Sequence, residues 1–296
     1  MKFWMLFTIP ISFFLVNCSS NNNINNVLKN NTQNISDSIS EEITKKIISD
    51  TTIFFIFNNL YTVAIDIKYP QSECKGNILL LHGWNCYKDE ICQNTDFCDQ
   101  AINKGYILII PNLGKTNYIS SIYPQTHKNL QIYPTLTWII DTMITNLQNN
   151  FSLFLQNQNN FIAGISTGAR GATMLAYHLP EIFKAVATIS GEFDITSRPD
   201  YYLYYAYLGQ LENFPERWKK ECFAFDCEHY LVPTYIGHGE NDNTAPVQNS
   251  LDMYDSLRFY HSDIKFILNI VPNASHNYKY WKTETKNIIT FFNEII

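Results

Sequence analysis

A serine held between two glycines is the first residue in this chain that could do chemistry. Gly164-Ile165-Ser166-Thr167-Gly168 follows an apolar run over 161–165 and precedes a helix-like stretch over 167–179. At such a strand-to-helix turn the serine backbone is strained, and the glycines leave space for close packing around it. The hydroxyl then stands above the sheet at a helix N-terminus, where N–H groups favour developing negative charge. The chemistry that fits is attack on a carbonyl carbon.

Serine is a weak nucleophile until a base takes its proton, so a histidine is required. His276 stands on the loop after an apolar run over 265–271 and precedes another helical stretch, so it can lean over a serine at the middle of the sheet. His127, His178, His229 and His261 are read as surface or internally satisfied residues. The base in turn needs a carboxylate to fix its tautomer and stabilise the imidazolium. Asp242, in His238-Gly239-Glu240-Asn241-Asp242 after a run over 231–237, is the preferred candidate. Asp194, after the preceding strand, is its competitor, and Glu240 is expected to be solvated. An oxyanion needs backbone donors, and the run 79–81 ending in His82-Gly83-Trp84 offers the N–H of Trp84, joined by that of Thr167. His82 is read as a brace for that loop.

The elements that would position these residues alternate. The runs 51–57 and 61–68 are rich in β-branched and aromatic residues, joined at Asn58-Asn59, and predict an antiparallel hairpin. Strands are then expected over 77–81, 106–110, 161–165, 185–190, 233–237 and 265–271. Most are continuously apolar, as in parallel strands covered on both faces. Helices are expected over 89–104, 134–149, 167–179, 247–260 and 278–296. This alternation argues for one three-layer α/β domain over 51–296, with a mostly parallel central sheet and helices on both faces. Residues 195–230 break the rhythm and read as an insertion over the C-terminal edge of the sheet, where such folds bind ligands. Its dense tyrosines (Tyr201, Tyr202, Tyr204, Tyr205 and Tyr207) are read as packing that insertion down, with an aromatic substrate cleft as the alternative. Arg198, Arg217, Lys219 and Lys220 are read as a solvated polar face, with attraction of an anionic substrate as the alternative.

Taken together, these motifs resemble the α/β-hydrolase fold over about residues 51–296, in the chain order Ser–Asp–His. The spacing His238-Gly239-x-x-Asp242-x-x-x-Pro246 is the most telling, because the family often places its acid in that turn. Gly168-Ala169-Arg170-Gly171-Ala172, Phe183-Lys184-Ala185-Val186-Ala187 and Ser190-Gly191 are similar to the esterase and prolyl-oligopeptidase-like branches. A glycine pair often follows the serine turn in prolyl oligopeptidases; here Ala169-Arg170 stands there, which weighs against a peptidase. The serine also departs from dienelactone hydrolases, which use cysteine. The resemblance implies acyl transfer to water: Ser166 as nucleophile, His276 as base, Asp242 as acid, and the Trp84 and Thr167 amides as oxyanion hole. A serine esterase is the first reading. A serine peptidase or amidase acting on short peptides is the second, and a non-catalytic surface-binding lipoprotein on the same fold the third.

The N-terminus reads as an address. Lys2 is followed by a short apolar segment over 3–16, below the roughly 20 residues that span a bilayer, so a secretory signal over 1–17 fits better than a spanning helix. Leu15-Val16-Asn17-Cys18 resembles the lipobox of bacterial lipoproteins, although Asn17 stands where Gly, Ala or Ser is usual. The resemblance implies lipid attachment at Cys18 and anchoring in the bacterial cell envelope. Eight of residues 21–34 are Asn, and such a segment buries too little apolar surface to offset its ordering entropy. Residues 18–50 are therefore expected to act as a tether, with a short helix over 36–48.

Composition narrows the partners. The 296 residues are 46% hydrophobic and 16% charged, with 21 basic against 27 acidic side chains and a net charge of −6. A large core is affordable, and no general basic surface exists to grip phosphates, so nucleic acid is a poor partner. A small ester or short peptide is the expected substrate. No zinc-spaced Cys/His set, Gly-x-Gly-x-x-Gly or P-loop lysine occurs, so no metal or organic cofactor is expected. Beyond Cys18, six cysteines permit up to three disulfides or six idle thiols, with Cys222–Cys227 the easiest local loop.

Overall fold

The computed structural model describes residues 50–57, 61–130 and 132–296. The signal segment, Cys18, the tether up to residue 49 and the expected helix over 36–48 lie outside the described residues.

The hairpin forms as its β-branched pattern predicts. Strands β1 (Thr51–Phe57) and β2 (Tyr61–Lys68) pair antiparallel, with Thr51 opposite Ile67 and Phe57 opposite Tyr61. In β2, buried Val63, Ile65 and Ile67 alternate with more exposed residues, as expected of a strand with one covered face. The continuously apolar runs become β3 (Gly76–Leu81), β4 (Tyr106–Pro111), β5 (Asn160–Ile165), β6 (Ala185–Ile189), β7 (Thr234–Gly239) and β8 (Phe266–Val271). Every residue of β3 to β7 is buried. The eight strands form one sheet in the order β1-β2-β4-β3-β5-β6-β7-β8. The antiparallel pairings are β1 with β2 and β2 with β4, and all the others are parallel.

Helices cover both faces. On one lie α3 (Thr135–Trp138), α4 (Thr145–Phe151), α5 (Thr167–His178) and α8 (Gln248–Tyr260), whose Leu136, Leu147, Leu175 and Leu257 join the larger core. On the other lie α1 (Glu90–Asn94), α2 (Phe97–Asn103) and α9 (Tyr278–Ile295), which bury Ile91, Phe97, Ile288 and Phe292. This is the three-layer α/β-hydrolase fold.

The structure corrects two helices. The single helix expected over 89–104 is two, because Thr95 interrupts it. Its Oγ1 donates back to Ile91 O (2.6 Å) and accepts the N–H of Phe97 (3.3 Å), a local alternative to the helical ladder. A Cys92–Cys98 disulfide spans the break. The helix expected over 134–149 begins as α3, widens into a π-helical segment at Ile139–Ile144, and resumes as α4. It ends at Ser152, whose φ of 53° is left-handed.

Cys222 and Cys227 form no bridge; both are buried free thiols. Cys222 leads into the 3-10 turn Phe223–Phe225, and its Sγ donates to Phe193 O and Asp194 Oδ1, both at 3.5 Å. Cys227 opens the next turn, Cys227–His229, and its Sγ donates to Phe223 O at 3.9 Å. With the two sulfurs committed to different acceptors, burial pushes their pKa values up to about 11 and about 12.

Between β6 and β7, the segment that breaks the strand–helix rhythm contains α6 (Tyr202–Leu208), α7 (Pro215–Lys220) and several 3-10 turns. It has its own apolar centre, in which Tyr204, Tyr207, Leu208 and Trp218 pack with Ile119 and Leu130 of the β4–α3 connection. A buried ion pair ties it to the main domain. Arg170 Nη2 on α5 lies 3.6 Å from Glu221 Oε2 just past α7, and both side chains are essentially inaccessible. The guanidinium also donates to the carbonyls of Asn117, Tyr118 and Glu221. Glu221 accepts Ser120 N–H at 3.0 Å and Ser120 Oγ–H at 2.6 Å.

Candidate active site

Ser166 follows β5 directly and caps α5. Its φ of 54° and ψ of −124° are unusual for a residue with a Cβ, and its N–H donates to Ile189 O of the next strand (2.9 Å). The flanking glycines are sterically required. A Cβ on Gly164 would lie 2.1 Å from Gly168 O, and one on Gly168 would lie 2.4 Å from Leu81 O. The turn can therefore pack against both itself and β3 only without side chains at those two positions.

His276 and Asp242 arrive on the loops after β8 and β7. The two loops touch closely: Asn241 N–H donates to Ala274 O (2.8 Å), and a Cβ on Gly239 would lie 2.5 Å from the same oxygen. His276 is fixed from behind by Asn277, whose side chain accepts the N–H of Tyr280 and so starts α9. The structure brings the three expected side chains into one hydrogen-bonded row. Ser166 Oγ is 3.0 Å from His276 Nε2, and His276 Nδ1 is 2.7 Å from Asp242 Oδ2.

Asp242 is held from several sides. Its Oδ1 accepts the N–H groups of Thr244 and Ala245, each at 2.9 Å. Burial by itself would raise its pKa. Hydrogen bonds from His238, His276 and Ala245 N–H, with the charge of His276, outweigh that and hold it well below the usual carboxylate range. Asp194, the competing acid, is elsewhere: its Oδ1 accepts Thr196 N–H (2.9 Å) and Oγ1–H (2.5 Å), capping a 3-10 turn. Glu240 is exposed, as expected, and accepts Asn273 N–H at 3.2 Å.

His238 belongs to the site, although the sequence marks it only as part of the acid turn. It is completely buried. Its Nε2 donates to Ala245 O (2.9 Å), so Nδ1 is left to accept from Ser250 Oγ (2.7 Å). Its position four residues before Asp242 was the available signal.

The loop after β3 supplies the remaining donors. A Cβ on Gly83 would sit 3.2 Å from Ser166 Cβ, so this loop passes directly beside the serine. Among the described residues, the backbone N–H groups of Trp84 and Thr167 donate no hydrogen bond to another protein group. His82 braces the loop as expected. Its Nε2 accepts the N–H of Leu113 (2.8 Å), so Nδ1 carries the proton and donates to Gly83 O (2.7 Å). Burial lowers its pKa, in keeping with a neutral ring.

These groups open onto one cleft of about 270 Å³, a size suited to a small ligand. Trp84, Glu192, Tyr201, Tyr204 and Trp281 line it with Ser166. The insertion tyrosines thus divide: Tyr204 and Tyr207 are buried in packing, while Tyr201 and Tyr204 also form cleft wall. Burial raises the pKa of Glu192, offset in part by Tyr204 and Arg198. Among the described residues, no group of three or more His, Cys, Asp or Glu is placed to hold a metal ion.

Comparison with known proteins agrees with this architecture. The S-formylglutathione hydrolase of Agrobacterium tumefaciens superposes with a TM-score of 0.67 at 15% identity, covering 83% of this chain and 98% of that one. A fluorophosphonate-binding serine hydrolase F of Staphylococcus aureus gives 0.64 at 18% identity, over 82% and 98%. Est1E of Butyrivibrio proteoclasticus gives 0.62 at 14%, over 82% and 98%. No curated protein sequence matches the chain. The model of the prolyl oligopeptidase family, Peptidase_S9, matches residues 95–296, a span that holds the serine turn, the acid turn and the late histidine. The chain therefore belongs to the prolyl oligopeptidase family of the α/β-hydrolase superfamily, and is a serine hydrolase.

Proposed function

We propose that the protein is a serine esterase that cleaves carboxylic esters through an acyl-enzyme. The observation that carries this reading is the row Ser166–His276–Asp242, with contacts of 3.0 and 2.7 Å, at the floor of a cleft. Ser166 Oγ attacks the ester carbonyl while its proton passes to His276 Nε2, and Asp242 holds the Nδ1–H of the imidazolium. The tetrahedral oxyanion takes the N–H groups of Trp84 and Thr167, donors typically worth ~3 kcal/mol each. His276 returns the proton to the departing alkoxide. Water, deprotonated by the same nitrogen, then releases the carboxylic acid and restores Ser166. The likeness to an S-formylglutathione hydrolase along nearly its whole length supports a small acyl substrate. A fluorophosphonate probe should label Ser166 in the folded protein, and Ser166→Ala should lose both labelling and hydrolysis of short acyl esters. Hydrolysis unchanged in that variant refutes the assignment.

Membership of the prolyl oligopeptidase family favours a second reading, a peptidase or amidase acting on short peptides. A side-by-side assay separates the two: peptide amides exceeding matched esters in kcat/KM would establish it. The N-terminal pattern ending in Cys18 supports lipid anchoring in the bacterial cell envelope. Metabolic labelling with a fatty-acid analogue tests this, because Cys18→Ser should abolish incorporation; label retained in that variant refutes it.

A further inference from the structure

Arg198 touches three residues of the cleft wall and is hydrogen-bonded through only one of its nitrogens. Nη1 donates to both oxygens of Glu192 (3.1 and 3.2 Å) and to Thr244 O (2.8 Å). The guanidinium carbon lies 3.9 Å from the centroid of the Tyr201 ring, in cation–π contact. Glu192, Tyr201 and Thr244 all line the cleft that contains Ser166 and His276. Nε and Nη2 donate to no described protein atom, and the side chain keeps 28% of its surface accessible. Those two nitrogens form the edge of a guanidinium that presents parallel N–H groups, the geometry that grips a carboxylate with two hydrogen bonds. Stacking on Tyr201 and the three Nη1 contacts restrict the group beforehand, so little further ordering is needed when a ligand arrives.

Building on the esterase reading, we infer that Arg198 binds a carboxylate of the substrate at the cleft rim. The preferred substrates are therefore esters that carry a free carboxylate a few methylenes from the bond that is cleaved. Glu192 neutralises the opposite edge of the guanidinium, so recognition rests on the two directed N–H donors more than on net charge.

The test uses the full protein and matched ester pairs. One series, of 4-nitrophenyl esters, carries a terminal carboxylate or a methyl on an acyl chain of two to four methylenes, and a second, of acetate esters followed by acid release, carries the same groups on the alcohol in place of 4-nitrophenol. The quantity read is the enzyme-dependent kcat/KM ratio of carboxylate to methyl partner. The wild-type ratio should reach about tenfold or more in at least one pair, the scale of a charge-assisted hydrogen bond. R198Q should bring that ratio close to one whatever it does to the neutral ester, and R198K, which keeps the charge without the two-pronged edge, should retain only part of it. Ratios near one in every wild-type pair overturn the inference, leaving Arg198 as a strut between Glu192 and Thr244. A preference that R198Q leaves intact also overturns it. If no ester is cleaved and a fluorophosphonate fails to label Ser166, the esterase reading falls and this inference falls with it.

Discussion

His238 Nε2 lies 3.4 Å from Asp242 Oδ2, the carboxylate oxygen that faces His276 Nδ1 at 2.7 Å. One oxygen is thus bracketed by two imidazoles, of which only His276 can reach Ser166. His238 also bonds Ala245 O and Ser250 Oγ, so it holds the acid turn as well as the acid. His238→Ala is expected to lower kcat about tenfold with little change in KM, since it loosens the carboxylate and removes no cleft wall. His238→Gln, whose amide can still donate, should recover part of the loss. Steady-state kinetics with a thermal melt as a folding control measures both.

Asp242 also predicts how stability depends on pH. Its folded pKa is depressed, so its contribution is complete above the unfolded carboxylate value of about 4 and is lost as pH falls below it toward the folded value. Asp242→Asn should therefore reduce the acid-side drop in stability seen between pH 7 and pH 3 in urea titrations. The same substitution should lower kcat by on the order of 10⁴-fold, because the tautomer of His276 loses its reference.

Gly168→Ala should damage the serine turn more than its single methyl suggests. The new Cβ would meet Leu81 O at 2.4 Å, a methyl against backbone, with no flexible group to yield. A loss of about 1–3 kcal/mol in stability is expected, with hydrolase activity falling further as Ser166 is displaced. Chemical denaturation and kinetics on the same preparation separate the two effects.

Reduction should act at Cys92–Cys98 and leave Cys222 and Cys227 unchanged. The bridge closes a loop of only six residues in sequence separation, so losing it should cost no more than about 2 kcal/mol. The pair Cys92→Ser with Cys98→Ser should keep its hydrolytic kcat while melting earlier, and thiol labelling in denaturant should find Cys86, Cys222 and Cys227 reduced from the start.

Glu221→Ala should be among the most destabilising single changes. It leaves Arg170 buried with its charge uncompensated, a loss of about 3–5 kcal/mol. Replacing both partners, Arg170→Met with Glu221→Leu, should recover most of that stability, and a double-mutant denaturation cycle measures the difference.

Local pattern explains which features could be read from residues alone. Continuous apolar runs such as Tyr106–Pro111 and Asn160–Ile165 identify strands covered on both faces, and the motifs after such runs single out Ser166, His276 and Asp242, which the structure brings within hydrogen-bonding reach of one another. The break at Thr95 escaped because a single threonine, bonding Ile91 O, overrides an otherwise helical stretch. Arg170 registers in sequence only as a departure from a glycine pair. Its partner Glu221 is 51 residues away, and no local periodicity joins positions that meet only through tertiary packing. For the same reason, sequence leaves Arg198 open between a solvated cation and one that attracts an anion, and only the structure sets Glu192, Tyr201 and Thr244 around it.

The Arg170–Glu221 pair fixes the kind of enclosure the 195–230 segment provides. Swinging that segment outward would strip two opposite charges of their partners and break the contacts of Glu221 with Arg170 and Ser120 together. Opening that roof therefore carries the cost of unpairing a buried charge, which favours the closed enclosure.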